Sequence, residues 1–131
     1  MLDAFDAVWV LGGNAVALRT AFAASGADTV VTDRLRDDSL VYAGYSAGGC
    51  ILGPREALSV ATFGDPLPGY PEHPVDTGMG LLPFAIVPHF DREVPASTGL
   101  VDHYLDHHVP LVALRDGQAV VVDGEVVRVV E

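Results

Sequence analysis

Short apolar runs that stop at glycine alternate with longer mixed segments along this chain. Ala7–Leu11 (AVWVL) is apolar throughout and halts at Gly12-Gly13-Asn14, which predicts a buried strand and a tight turn. Ala15–Ser25 is Ala-rich, with Val16, Leu18 and Phe22 apolar and Arg19 polar, and predicts a helix stopped by Gly26. Thr29–Thr32 reads either as a very short strand or as the approach to a polar loop, and Asp33–Ser39 as a charged, exposed stretch. Leu40–Tyr45 predicts the next buried strand, and Ser46–Leu52 a second helix ending near Gly53-Pro54.

From Pro54 to Gly80 the chain is rich in Pro, Gly, Asp and Thr, too long for an ordinary connector. Its many apolar residues predict an ordered, functional loop. Ala85–Val87 predicts a third strand, with His89 directly after its end. Ser97 is a candidate cap for a helix running to about His108, and Leu111–Leu114 predicts a fourth strand. Gln118–Val122 and Glu125–Val130 are β-branched runs around Asp123-Gly124, a strong hairpin signal.

Strand–helix alternation closed by a hairpin predicts one α/β domain over residues 1–131, a mostly parallel sheet flanked by helices with a C-terminal β-hairpin. Ligands of such sheets bind at the carboxyl ends of the strands. Gly12–Asn14, Ser46, His89 and Asp116 all fall there, so one sheet edge can gather them.

Composition narrows the partners. Seven basic residues, all Arg, against eighteen acidic ones give a net charge of -11. A field of that sign repels nucleic acid and anionic membranes, and an anionic small substrate would need a local Arg. No apolar run reaches the roughly 18 residues of a membrane span, and Met1–Phe5 lacks the basic start of a signal peptide, so the expected compartment is the cytoplasm. The single cysteine, Cys50, excludes an intrachain disulfide; it reads as a small buried residue rather than as a nucleophile.

Candidate chemistry centres on Gly44-Tyr45-Ser46-Ala47-Gly48, a G-x-S-x-G sequence between a predicted strand and a predicted helix. Small residues on both sides let the backbone make the strained turn that exposes a serine hydroxyl. The Ala47 N–H then lies at a helix start, where negative charge is favoured. Gly12-Gly13-Asn14 offers further N–H groups, Gly13 above all, as a second oxyanion donor. The same glycines resemble a phosphate cradle, but the full G-x-G-x-x-G pattern is absent.

A serine nucleophile needs a base, and the base an orienting acid. His89, in Val87-Pro88-His89-Phe90, stands at a strand end, whereas His73 reads as exposed. His103 and His107 are spaced i, i+4 as metal ligands can be, but with Asp102, Asp106 and His108 they read better as a solvated helix face, so no metal or other cofactor is expected. For the acid, Asp116 follows the fourth strand, and Asp65 in the long loop is the alternative or an additional member; Asp91 is too near His89 in sequence.

Together the segments VWVLGGN (Val8–Asn14), YAGYSAGGCILGP (Tyr42–Pro54), GMGLLPFAIVPHFD (Gly78–Asp91) and ALRDGQAVVVDGE (Ala113–Glu125) resemble the dipeptidase E and cyanophycinase family of serine peptidases. The resemblance implies a flavodoxin-like, class I glutamine amidotransferase-like fold. It implies Ser46 as nucleophile, His89 as general base, Asp116 as acid where the family more often has Glu, and Gly13 and Ala47 as the oxyanion hole. Asn14, Arg55 and Arg92 are weaker candidates for holding substrate. The implied substrate is a short peptide, with dipeptides bearing an N-terminal Asp foremost.

Longer family members carry further strand–helix units ahead of the GGN strand, and this sequence reads as a form that lacks them. The Val8–Leu11 strand would then have a bare edge, a liability that predicts an obligate homo-oligomer. Two other functions stay open: a non-catalytic oligomeric binding protein on the same scaffold, and an esterase or amidase using the same triad.

Overall fold

The computed structural model describes residues 1–56, 58 and 71–131. Three pairs of strands make up the described sheet structure. β1 (Ala7–Val10) and β2 (Val41–Gly44) run parallel, with Trp9 opposite Ala43 and Val10 opposite Gly44. β3 (Ala85–Val87) and β4 (Leu111–Ala113) also run parallel. β5 (Ala119–Asp123) and β6 (Val126–Val130) form the terminal antiparallel hairpin, turning at Gly124 with φ 58°. The architecture is therefore α/β with parallel strands, but among the described residues no ladder joins β2 to β3.

Among the described residues, four α-helices accompany these strands: α1 (Ala15–Ser25), α2 (Ala27–Arg36), α3 (Ala47–Cys50) and α4 (Pro95–Asp106). α1 has the predicted bounds. Asn14 caps it by accepting the Ala17 N–H at 3.0 Å, and Gly26 ends it at φ 76°. The same glycine opens α2, which replaces the short strand or loop expected at 29–32 and the exposed stretch expected from 33. The β-branched run Thr29–Thr32 is a poor helix former, but burial of Val31 at 1 % exposure overrides that preference. Arg34, near the end of α2, donates to the carbonyls of Leu2 (2.7 Å) and Phe5 (2.6 Å), tying down the N-terminal segment.

α3 is shorter than the expected Ser46–Leu52, giving way to turns after Cys50. α4 begins at Pro95 with Val94 as its N-cap, not at a cap formed by Ser97. Proline suits that first position because its missing N–H would have had no partner. The Ser97 hydroxyl instead bridges the turn after β3, accepting from the Asp91 N–H and donating to the His89 carbonyl, both at 3.4 Å.

The described part of the long loop is pinned to the helices. Val75 N–H donates to Thr20 Oγ1 (2.8 Å) and Arg19 to the Thr77 carbonyl (3.0 Å). Met79 N–H donates to the Ile51 carbonyl at 2.8 Å. One apolar cluster joins Ala15, Ala47 and Ile51, and another joins Ala85, Val87 and Tyr104.

The two faces of the β1–β2 pair differ sharply. Val10 and Tyr42 look toward α3, where the Tyr42 hydroxyl donates to the Gly48 carbonyl at 2.6 Å. Among the described residues nothing covers most of the opposite face: Trp9 is 69 % and Val41 67 % exposed, with Leu11 and Tyr45 exposed beside them. Parallel strands normally have both faces covered. No helix among the described residues is long and apolar enough to cross a membrane.

Candidate functional site

Ser46 joins β2 to α3 in a conformation that ordinary residues avoid, φ 55° and ψ −115°. The flanking glycines make it possible. A Cβ at Gly44 would collide with the Gly48 carbonyl, and one at Gly48 with the Val10 carbonyl. The predicted G-x-S-x-G turn is thus a steric requirement of this packing. Across from it, a Cβ at Gly12 would lie 3.1 Å from Ser46 Cβ and 3.5 Å from Oγ, so the Gly12–Asn14 loop abuts the serine.

Gly13, at φ 134°, faces open space. Among the described residues neither its N–H nor that of Ala47 has a backbone acceptor. Gly13 belongs to the loop that abuts Ser46, and Ala47 follows Ser46 directly. The expected contribution of a helix dipole at Ala47 is small, because α3 has only four residues.

β3 and β4 deliver the second half of the site. Beyond their ladder, Leu114 N–H donates to the Val87 carbonyl (2.9 Å) and Phe90 N–H to the Leu114 carbonyl (2.8 Å). These bonds bracket His89, at φ 54°, and set the start of the 115–118 turn beside it. His89 Nδ1 lies 2.6 Å from Asp116 Oδ1. A carboxylate only accepts, so Nδ1 carries the proton of this bond, and Nε2 is the nitrogen that points away from Asp116. The Tyr45 ring packs edge-on against His89 with centroids 5.7 Å apart, linking the two halves. Among the described residues no hydrogen bond joins Ser46 Oγ to His89. Such bonds often tighten only when substrate binds.

The remaining candidates separate. Asn14 Oδ1 is committed to capping α1. Arg55 and Arg92 are exposed, and neither side chain touches the serine or the His89–Asp116 pair in a described hydrogen bond or ion pair. Asp65 lies outside the described residues. His73 is exposed. The His103 and His107 rings stack at 4.0 Å, and His107 Nδ1 bonds the His103 carbonyl at 2.8 Å, so the two rings do not converge on an ion. Burial pushes the Cys50 thiol up to about 11, where it stays protonated and unreactive at neutral pH. Sequence reasoning missed Tyr45; an aromatic residue preceding the serine gave no sign that its ring meets His89.

Comparison with known proteins identifies the family of the chain. The family described as Peptidase family S51 matches residues 1–130. Peptidase E of Streptomyces coelicolor (strain ATCC BAA-471 / A3(2) / M145) is 33% identical over 132 residues, which cover 95% of this chain and 51% of that protein. The chain thus spans about half the length of the curated relative it matches. A crystal structure from Listeria monocytogenes EGD-e, provisionally described as a peptidase E protein, superposes with a TM-score of 0.80 at 22% identity. That match covers 98% of this chain and 60% of the other, and at such identity it speaks for the fold alone. With a glycine-flanked serine at the end of one parallel strand and a paired His and Asp beyond two others, a match over nearly its whole length places the chain in peptidase family S51, a family of serine peptidases.

Proposed function

We propose that this chain is a serine peptidase of short peptides, with dipeptides bearing an N-terminal Asp as its substrate class. The observation that carries the reading is the 2.6 Å contact between His89 Nδ1 and Asp116 Oδ1, in a family S51 chain whose Ser46 sits on a strained strand-to-helix turn. Ser46 Oγ attacks the scissile carbonyl as His89 Nε2 takes its proton. The N–H groups of Gly13 and Ala47 stabilise the oxyanion. His89 then gives the proton to the leaving amine, and water releases the acyl group by the reverse sequence. Asp116 holds His89 in the tautomer this needs. Arg55 and Arg92 are exposed cations available to a substrate carboxylate, and Asp65 is a further acid in this reading.

The same reading includes a second copy of the chain on the bare β1–β2 face. Trp9, Leu11, Val41 and Tyr45 are large apolar side chains left exposed beside one another, and contiguous apolar surface of this kind marks interaction sites. The face ends at Tyr45, against His89, so its cover would also shield the site.

Two observations favour a second reading, a non-catalytic binding protein: the Ser46–His89 hydrogen bond is not formed, and the Asp116 side chain is 80 % exposed. Labelling with a serine-directed fluorophosphonate separates the two. A covalent adduct on Ser46 supports the hydrolase; a folded protein that takes no label supports the binding protein.

A further inference from the structure

Asp116 is exposed, yet its carboxylate stands in hydrogen-bond contact with His89. Something other than burial must hold it. The 115–118 turn supplies that restraint. Gly117 occupies its third position at φ 91°, the left-handed conformation that a type II turn requires there. Gln118 then closes the turn twice. Its own N–H donates to the Arg115 carbonyl at 3.0 Å. Its side chain reaches back, and Oε1 accepts the Arg115 N–H at 2.9 Å. Asp116 lies between the two ends of this reciprocal clamp.

The clamp is itself anchored. Gln118 Nε2 and the Arg115 guanidinium both donate to Glu131 Oε1 at 3.0 Å. Gln118 is half-buried, whereas the Arg115 and Glu131 side chains are 67% and 72% exposed. An ion pair that open contributes little by itself. The bond from Gln118 to the turn backbone is the part that constrains Asp116. An open concavity lined by Arg115, Asp116, Gly117, Gln118 and Glu131 lies on this side of the turn. Asp116 released from the clamp could swing its carboxylate into that space.

We propose that Gln118 is a positioning residue that holds Asp116 against His89. The inference rests on the reading of Asp116 as the orienting acid. Its test has a readout independent of turnover.

Proton NMR of the full chain reports the His89 Nδ1–H directly, as a strongly downfield imidazole resonance, with Asp116→Ala as the assignment control. Gln118→Met keeps side-chain length and packing but removes the amide. Gln118→Glu combined with Glu131→Gln keeps an oxygen acceptor for the Arg115 N–H and a donor–acceptor pair at position 131. Gln118→Met should lose or broaden the resonance and lower kcat by roughly tenfold to a hundredfold with KM little changed. The Gln118→Glu, Glu131→Gln double variant should keep the resonance and recover most of the rate. A Gln118→Met protein with the wild-type resonance overturns the proposal, as does a wild type with no such resonance. If the wild type hydrolyses no peptide while the resonance responds as stated, the positioning role stands and the peptidase reading falls.

Discussion

His89 Nδ1 and Asp116 Oδ1 meet at 2.6 Å because the chain is stitched together on both sides of Leu114. Its N–H bonds the Val87 carbonyl and its carbonyl accepts the Phe90 N–H, so residues two positions on must lie beside His89. Asp116→Asn preserves shape but can donate as well as accept, which favours the wrong tautomer of the imidazole. It should lower kcat by about 10²- to 10⁴-fold while leaving the unfolding midpoint nearly unchanged, since the side chain is exposed. Steady-state kinetics beside urea denaturation check both halves. A variant with wild-type turnover would leave Asp116 without the assigned role.

The nucleophile turn should be intolerant of any side chain at its glycines. Gly48→Ala would drive a methyl group into the Val10 carbonyl, backbone that cannot yield without separating β1 from α3. The expected loss is about 3 kcal/mol or more, with a lower denaturation midpoint. Gly13→Ala meets open space and suffers only the strain of φ 134°, about 1–3 kcal/mol. Equal stability of the two variants would contradict this account.

Alkaline pH should weaken the fold through Cys50. Burial raises its thiol from 9.0 to about 11, so between those values the folded state holds a proton that the unfolded chain has released. Stability is therefore full below about pH 9 and falls as pH rises toward about 11, by on the order of 2 kcal/mol. Tyr104 acts in the same direction, raised to about 12 by burial and by the Cys50 charge. Urea midpoints at about pH 8 and about pH 10.5 measure the loss. Cys50→Ala should flatten the slope, and an unchanged slope in that variant would remove Cys50 from the explanation.

Much of this site could be read from the sequence because its parts are local. The glycines around Ser46, the strand-end positions of His89 and Asp116, and the Asp123-Gly124 hairpin each follow from a few adjacent residues. α2 escaped because its signal is not local: Thr29–Thr32 looks like a strand, and only the burial of Val31 makes it helical. Ser97 misled for a related reason. It has the chemistry of a cap, but Pro95 had already fixed the start of the helix, freeing its hydroxyl for the His89 turn. The Tyr45–His89 contact and the Gln118 clamp depend on side-chain direction, which a linear pattern does not carry.

The bare β1–β2 face makes a prediction about assembly. If a second copy covers Trp9 and Val41, the protein should sediment as a dimer or larger at micromolar concentration. Trp9→Arg should shift it to a monomer, since an unpaired charge would be buried in the contact. A stable, well-folded wild-type monomer would contradict this arrangement.

Hydrolysis of an Asp-Xaa dipeptide, with Ala-Xaa and Glu-Xaa alongside, for wild type and Ser46→Ala tests the central claim most directly. The account predicts cleavage of Asp-Xaa alone, abolished in Ser46→Ala although that variant stays folded. A folded wild type that cleaves none of the three, or a Ser46→Ala variant as active as wild type, would contradict it.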